Sequence, residues 1–189
     1  SSAVKDFYAP ATTGLPAPEI HFVDVDEDQF HRRVVLFDTG IARAATRGLN
    51  VLLESYLRRD RDRYGAMRAS LEIHDEIVDA LRQGDYPRLG QLATRYWDYR
   101  CILDPDATSE SLRQLFAPPL ADLHEGGMLT GAGGGGFALL IAREGEEECL
   151  RECLSRMKDQ RAYAGSAVVD YRLNRTGLQL MTSPSTGLK

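Results

Sequence analysis

Between residues 131 and 136 the chain reads Gly131-Ala132-Gly133-Gly134-Gly135-Gly136, and it then runs straight into the apolar stretch Phe137-Ala138-Leu139-Leu140-Ile141. Glycine admits positive φ and close backbone approach, but each one costs roughly 0.5–1 kcal/mol in regular structure. Five of them beside a strand therefore need an offsetting role. A flexible linker is flanked by polar residues, whereas this run lies between Met128-Leu129 and an apolar strand. A dinucleotide-binding G-x-G-x-x-G loop must open a helix, and Phe137–Ile141 reads as strand. What remains is a tight turn whose bare backbone presses against an anionic group or against another tight loop.

The other residues able to do chemistry are sparse. His21, His31, His74 and His124 form no metal-ligand spacing, and the three cysteines, Cys101, Cys149 and Cys153, give no disulfide framework. They read as thiols in a reducing compartment, and no metal is assigned. Asp104-Pro105-Asp106 reads as a turn leading into a helix. With 189 residues, 43% of them hydrophobic, and a formal charge of −5, the chain suffices for one sizeable core, or for a large and a rudimentary domain. The one basic concentration, Arg58 to Arg63, alternates with Asp60 and Asp62 and reads as a self-paired helix end rather than a nucleic-acid surface. No apolar run approaches the roughly 18 residues of a membrane span. The N-terminus lacks the pattern of a secretory signal, so a cytoplasmic location is expected.

The elements that would position the glycines follow from periodicity. Residues 1–19, with three prolines, read as a mobile segment or linker. Strands are expected at 19–26 and 32–40, paired across the polar turn 26–31. From Ile41 the apolar period becomes 3.6, giving helices to about residue 59, over Met67–Leu81 with a stop at Gly84, from the cap Asp85 with Pro87 in its first turn, and from Thr108 or Ser109 to Pro118-Pro119. After the glycine stretch come its strand, a helix over 146–159, and a hairpin of 166–173 with 176–181. The sum is α+β, an antiparallel sheet with a block of helices on one face, spanning 20–183 and followed by a tail at 184–189.

"LTGAGGGGF" (129–137) resembles the third sequence motif of the GHMP small-molecule kinases. "VVLFDTGIARAATRGLNVLLESYL" (34–57) and "GDYPRLGQLATRYWDYRCILDPDATSESLRQLF" (84–116) are similar to the strand, T-G-x-x-R turn, long helix and tryptophan-bearing helix pair of the L-fucose kinases, with the heptose kinases next. The resemblance implies a ferredoxin-like C-terminal domain of a sugar kinase that acts on the anomeric hydroxyl of L-fucose or a similar sugar, with ATP and Mg²⁺ as cofactors. The family's phosphate loop, Mg²⁺ ligand and catalytic acid belong to an N-terminal domain, and no P-x-x-x-G-L-G-S-S run occurs here. No catalytic residue or metal ligand is therefore expected in this chain, which alone would be inactive; its partners would be that N-terminal domain and the sugar, with no nucleic acid or membrane. Met128 stands where many relatives carry lysine. The resemblance implies that Gly131, Ala132, Gly133, Gly134, Gly135 and Gly136 meet the triphosphate or the phosphate loop, and that Thr39, Gly40 and Arg43 face the cleft where strand becomes helix. Thr39 alternatively caps that helix. Trp97, with Tyr96 and Tyr99, is either an aromatic wall for the sugar or core. Two alternatives stay beside the fucose reading: a heptose- or galactose-type kinase half, and a non-catalytic α+β binding module.

Overall fold

A computed structural model describes residues 2–5, 20–42 and 53–174. The chain divides into two compact units, residues 1–24 with 172–189, and Val25–Tyr171. In the first unit, β1 (Ser2–Lys5) pairs antiparallel with β2 (Ile20–Val23), in the register Ser2 to Val23 and Lys5 to Ile20. The expected pairing of 19–26 with 32–40 is therefore corrected. The intervening residues, rather than turning, form helix α1 (Glu27–Arg33), whose N-cap Asp26 accepts the Gln29 N–H at 2.9 Å. An Asx cap followed by Glu27 and Asp28 is a helix start, in a seven-residue segment too short to display a period.

The second unit carries a four-stranded antiparallel sheet in the order β4-β5-β3-β6, built from β3 (Val34–Asp38), β4 (His124–Leu129), β5 (Phe137–Ala142) and β6 (Ala167–Val169). Its long helices are those that their caps announce. Helix α2 (Arg61–Gln83) starts at Asp60, which accepts the Arg63 N–H at 3.1 Å, and stops at Gly84 with φ 64°. Helix α3 (Tyr86–Leu103) starts at Asp85, with Pro87 in its first turn. A helical stretch at 53–58 precedes α2. The fourth expected helix shrinks to α4 (Glu110–Arg113), capped by Ser109 and followed by 3₁₀ turns. Helix α5 (Glu147–Arg156) follows β5. The start of the expected long helix, Arg43 within it, and the strand at 176–181 lie outside the described residues.

Successive strand residues face opposite sides of a sheet. On β3, Val34 packs with Ile73, Ala80, Leu89 and Leu92 of α2 and α3, while Val35 and Phe37 pack with Leu150 and Leu154 of α5. Helices α2 and α3 thus pack on the Val34 side, while α5, together with α4 and its 3₁₀ turns through Leu112, Leu115 and Leu120, packs with Val35 and Phe37. Strand β4 escaped the sequence reading because Gly126-Gly127 interrupts its apolar pattern. A Cβ on Gly126 would lie 2.2 Å from Gly90 O, so the gap in side chains is what lets α3 rest on the strand. Thr94 Oγ1 then accepts the Gly127 N–H at 3.0 Å.

Two buried polar side chains tie this frame together. Arg33 donates from Nε to Ala142 O at 2.9 Å, with carboxylates of Glu144 and Glu125 at 3.7 and 3.9 Å. Losing that charged hydrogen bond costs about 1.5–3 kcal/mol, so Arg33→Met is expected to lower the melting temperature by roughly 5 °C. An unchanged melting temperature would make the contact dispensable. His124 must donate from Nε2, because its partner at 3.0 Å is the carbonyl Leu115 O, and Nδ1 is buried without a partner. Burial, the largest cause, holds its pKa below the usual value. The unfolded chain then takes up a proton near pH 6.5 that the folded one refuses. Stability is accordingly full above about pH 6.5 and falls with pH toward the folded pKa, by at most about 1.4 kcal/mol per pH unit for one site. Urea melts from pH 7.5 to 5 are expected to show this loss, and His124→Gln, which keeps a donor but does not titrate, is expected to flatten it.

Candidate phosphate-binding site

The β4–β5 hairpin closes with the Thr130 N–H donating to Phe137 O at 2.8 Å, leaving the six residues 131–136 as its loop. All five glycines have positive φ: 66° at Gly131, 75° at Gly133 and Gly134, 152° at Gly135 and 70° at Gly136, whereas Ala132 does not. An L side chain resists that region, which accounts for glycine at these five positions.

The loop has two sides. Gly133 and Gly135 turn inward: a Cβ on Gly133 would lie 2.7 Å from Cη2 of Trp97 and 2.8 Å from Ala107 O, and one on Gly135 would lie 2.1 Å from Ile41 O. Gly134 N–H donates to Ala107 O, and Gly136 N–H to Ile41 O at 2.9 Å. Gly131 and Gly136 have nothing within 4 Å of an added Cβ, and Ala132 is exposed. The six residues expected to meet phosphate thus divide: Gly131, Ala132 and Gly136 lie open, while Gly133, Gly134 and Gly135 hold the loop to the core. Residues 131 and 132 form the tight turn at the tip of the loop, with positive φ at Gly131 and not at Ala132, and both are exposed.

Thr39 is fully buried; its N–H and its hydroxyl both donate to Gly136 O, at 2.9 and 2.7 Å. The hydroxyl expected on the cleft side is instead turned inward, locking the end of β3 to the end of the loop. Gly40 is exposed, with φ 66°, and a Cβ there would lie 2.8 Å from Ala164 O. Trp97 is 5% exposed and forms the floor under Gly133. Arg43 lies outside the described residues. Ala107 and Ile41, which receive the loop, were missed; each acts through its backbone carbonyl, and no side-chain pattern announces a carbonyl. A cleft of about 520 Å³ between α1 and α5, walled by Arg32, Arg33, Glu147 and Arg151, shares no residue with the loop. Among the described residues no group of three His, Cys, Asp or Glu stands together as a metal set, and no helix is long and apolar enough to cross a membrane.

No family model matches the sequence. Over 133 residues, 69% of the chain, it is 27% identical to a bifunctional fucokinase/GDP-fucose pyrophosphorylase of Arabidopsis thaliana, and the match covers 12% of that protein. The fold is similar to that of Leishmania major mevalonate kinase in its complex with R-mevalonate, at TM-score 0.62 and 19% identity, over 80% of this chain and 44% of that one. It is also similar to a Campylobacter jejuni protein assigned as a sugar kinase, at TM-score 0.50 and 17% identity, over 84% of this chain and 42% of that one. The domain therefore has the α+β fold of the C-terminal half of the GHMP small-molecule kinases, and the sequence likeness supports the same superfamily. The relatives are kinase-type enzymes, and this chain spans less than half the length of each.

Proposed function

We propose that this chain is the C-terminal half of an ATP-dependent sugar kinase, with L-fucose as acceptor at its anomeric hydroxyl. The observation that carries the reading is the two-sided loop, anchored through Gly133, Gly135 and Thr39 and leaving the bare backbone of Gly131 and Ala132 exposed at its tip. Phosphoryl transfer asks for positioning and charge stabilisation rather than covalent chemistry, and a loop held to the core with bare backbone at its tip suits close approach to a phosphate. The residues present fit a phosphate group; ATP and Mg²⁺ supply the transferable phosphoryl and its charge compensation. The Mg²⁺ ligands, the phosphate loop and the catalytic acid belong, on this reading, to an N-terminal GHMP domain as partner. Arg43 is assigned to the sugar or phosphate side by the T-G-x-x-R resemblance. The free thiols Cys101, Cys149 and Cys153 accord with a cytoplasmic setting.

The test is ADP release in the presence of L-fucose, measured for this chain alone, for its N-terminal counterpart alone and for the two combined. Turnover only in the mixture is expected. Turnover by this chain alone overturns the half-kinase reading, silence of the mixture with every sugar favours a non-catalytic binding module, and turnover with a heptose or D-galactose but not L-fucose reassigns the acceptor. In the active mixture Arg43→Met is expected to lower kcat/KM by roughly ten- to a hundredfold without moving the melting temperature.

A further inference from the structure

Phe137 is the first residue after the glycine loop, and it is 42% exposed although it opens a strand whose next buried residues are Ala138, Leu140 and Ile141. In the β3–β5 ladder it stands directly opposite Asp38. The two side chains therefore share one face of the sheet, with Cβ atoms about 4.5–5.5 Å apart. Asp38 is half-buried; its Oδ1 accepts the Gly40 N–H at 3.0 Å, and Oδ2 accepts no hydrogen bond among the described residues. An exposed ring and a carboxylate acceptor thus lie side by side at the mouth of the loop.

We propose that Phe137 and Asp38 form the platform for the acceptor sugar, the ring stacking on the C–H face of a pyranose and the carboxylate accepting from its hydroxyls. The proposal rests on the kinase reading and names where that kinase holds its substrate. Transfer requires the accepting hydroxyl within about 3–3.5 Å of the reacting phosphorus, so the sugar must lie alongside whatever holds the phosphates, and Phe137 follows Gly136 directly. A protein partner docking over the same patch would bury the Asp38 carboxyl group, which is costly without a hydrogen-bonding or cationic partner. A polyhydroxylated ligand instead brings its own donors.

The experiment uses the full-length protein and two readouts: saturation-transfer-difference NMR with L-fucose, and separate KM values for L-fucose and ATP. Phe137→Ala is expected to raise the sugar KM by roughly tenfold and to weaken the NMR contact, with the ATP KM unchanged; Phe137→Tyr is expected to retain both. Asp38→Asn, whose amide oxygen still serves the Gly40 N–H, is expected to raise the sugar KM likewise. An unchanged sugar KM in Phe137→Ala and Asp38→Asn, or a shift confined to the ATP KM, overturns the platform and leaves the kinase standing. Phe137-dependent L-fucose binding without any ADP release overturns the kinase and leaves the platform. A rise of the sugar and ATP KM values together in Phe137→Ala overturns the platform in favour of packing between domains, and absence of binding and turnover with L-fucose, D-galactose and a mannoheptose overturns both readings.

Discussion

Gly135→Val is expected to lower the melting temperature of the domain by roughly 10 °C or more. The valine Cβ would enter the space 2.1 Å from Ile41 O, and the carbonyl there belongs to backbone that also receives the Gly136 N–H at 2.9 Å. Backbone strain at φ 152° adds to the collision. Strain of this kind costs about 1–3 kcal/mol, and overpacking a similar amount, so the sum is a large share of a domain stability of about 5–15 kcal/mol. Gly131→Ala is the matching control. Its φ of 66° carries strain too, yet nothing lies within 4 Å of its Cβ position. Thermal unfolding of the two variants isolates the steric part, and equal shifts would show that the loop is not anchored through Ile41.

Ala132→Asp carries the largest expected effect on activity. Ala132 is exposed and does not have positive φ, so aspartate fits without strain or collision. A carboxylate placed beside a triphosphate costs several kcal/mol of like-charge repulsion, which corresponds to a loss in kcat/KM of about a hundredfold or more, carried mainly by the KM for ATP. The melting temperature is expected to stay within about 2 °C, since exposed substitutions away from packing change stability little. Ala132→Asn, equal in shape and neutral, is expected to stay near the parent. If aspartate and asparagine behave alike, the open side of the loop does not meet phosphate.

Local chemistry made the helices legible. Asp60, Gly84 and Asp85 with Pro87 bound α2 and α3 because a cap and a left-handed stop act within a few residues of the chain, and the apolar run after Gly136 declared β5 by its composition. The glycine run itself announced a tight backbone device. It did not tell which glycines face inward, because that depends on Trp97, Ala107 and Ile41, each far along the chain, arriving on one side of the hairpin. Thr39 shows the same limit: its hydroxyl meets Gly136 O across 97 positions, so a candidate ligand contact became a lock for the loop. Strand β4 was hidden because its glycines are there for α3, and α1 because seven mostly polar residues carry too little period to outweigh a turn. The amino-acid sequence by itself determined the α+β class, helices α2 and α3 and the presence of a tight glycine loop before β5, each announced by caps, periodicity or composition along a short stretch of chain. Which side of the loop is open, what anchors it, and which side chains stand at its mouth were decided only by tertiary structure, where close packing assigns each Cβ either space or none.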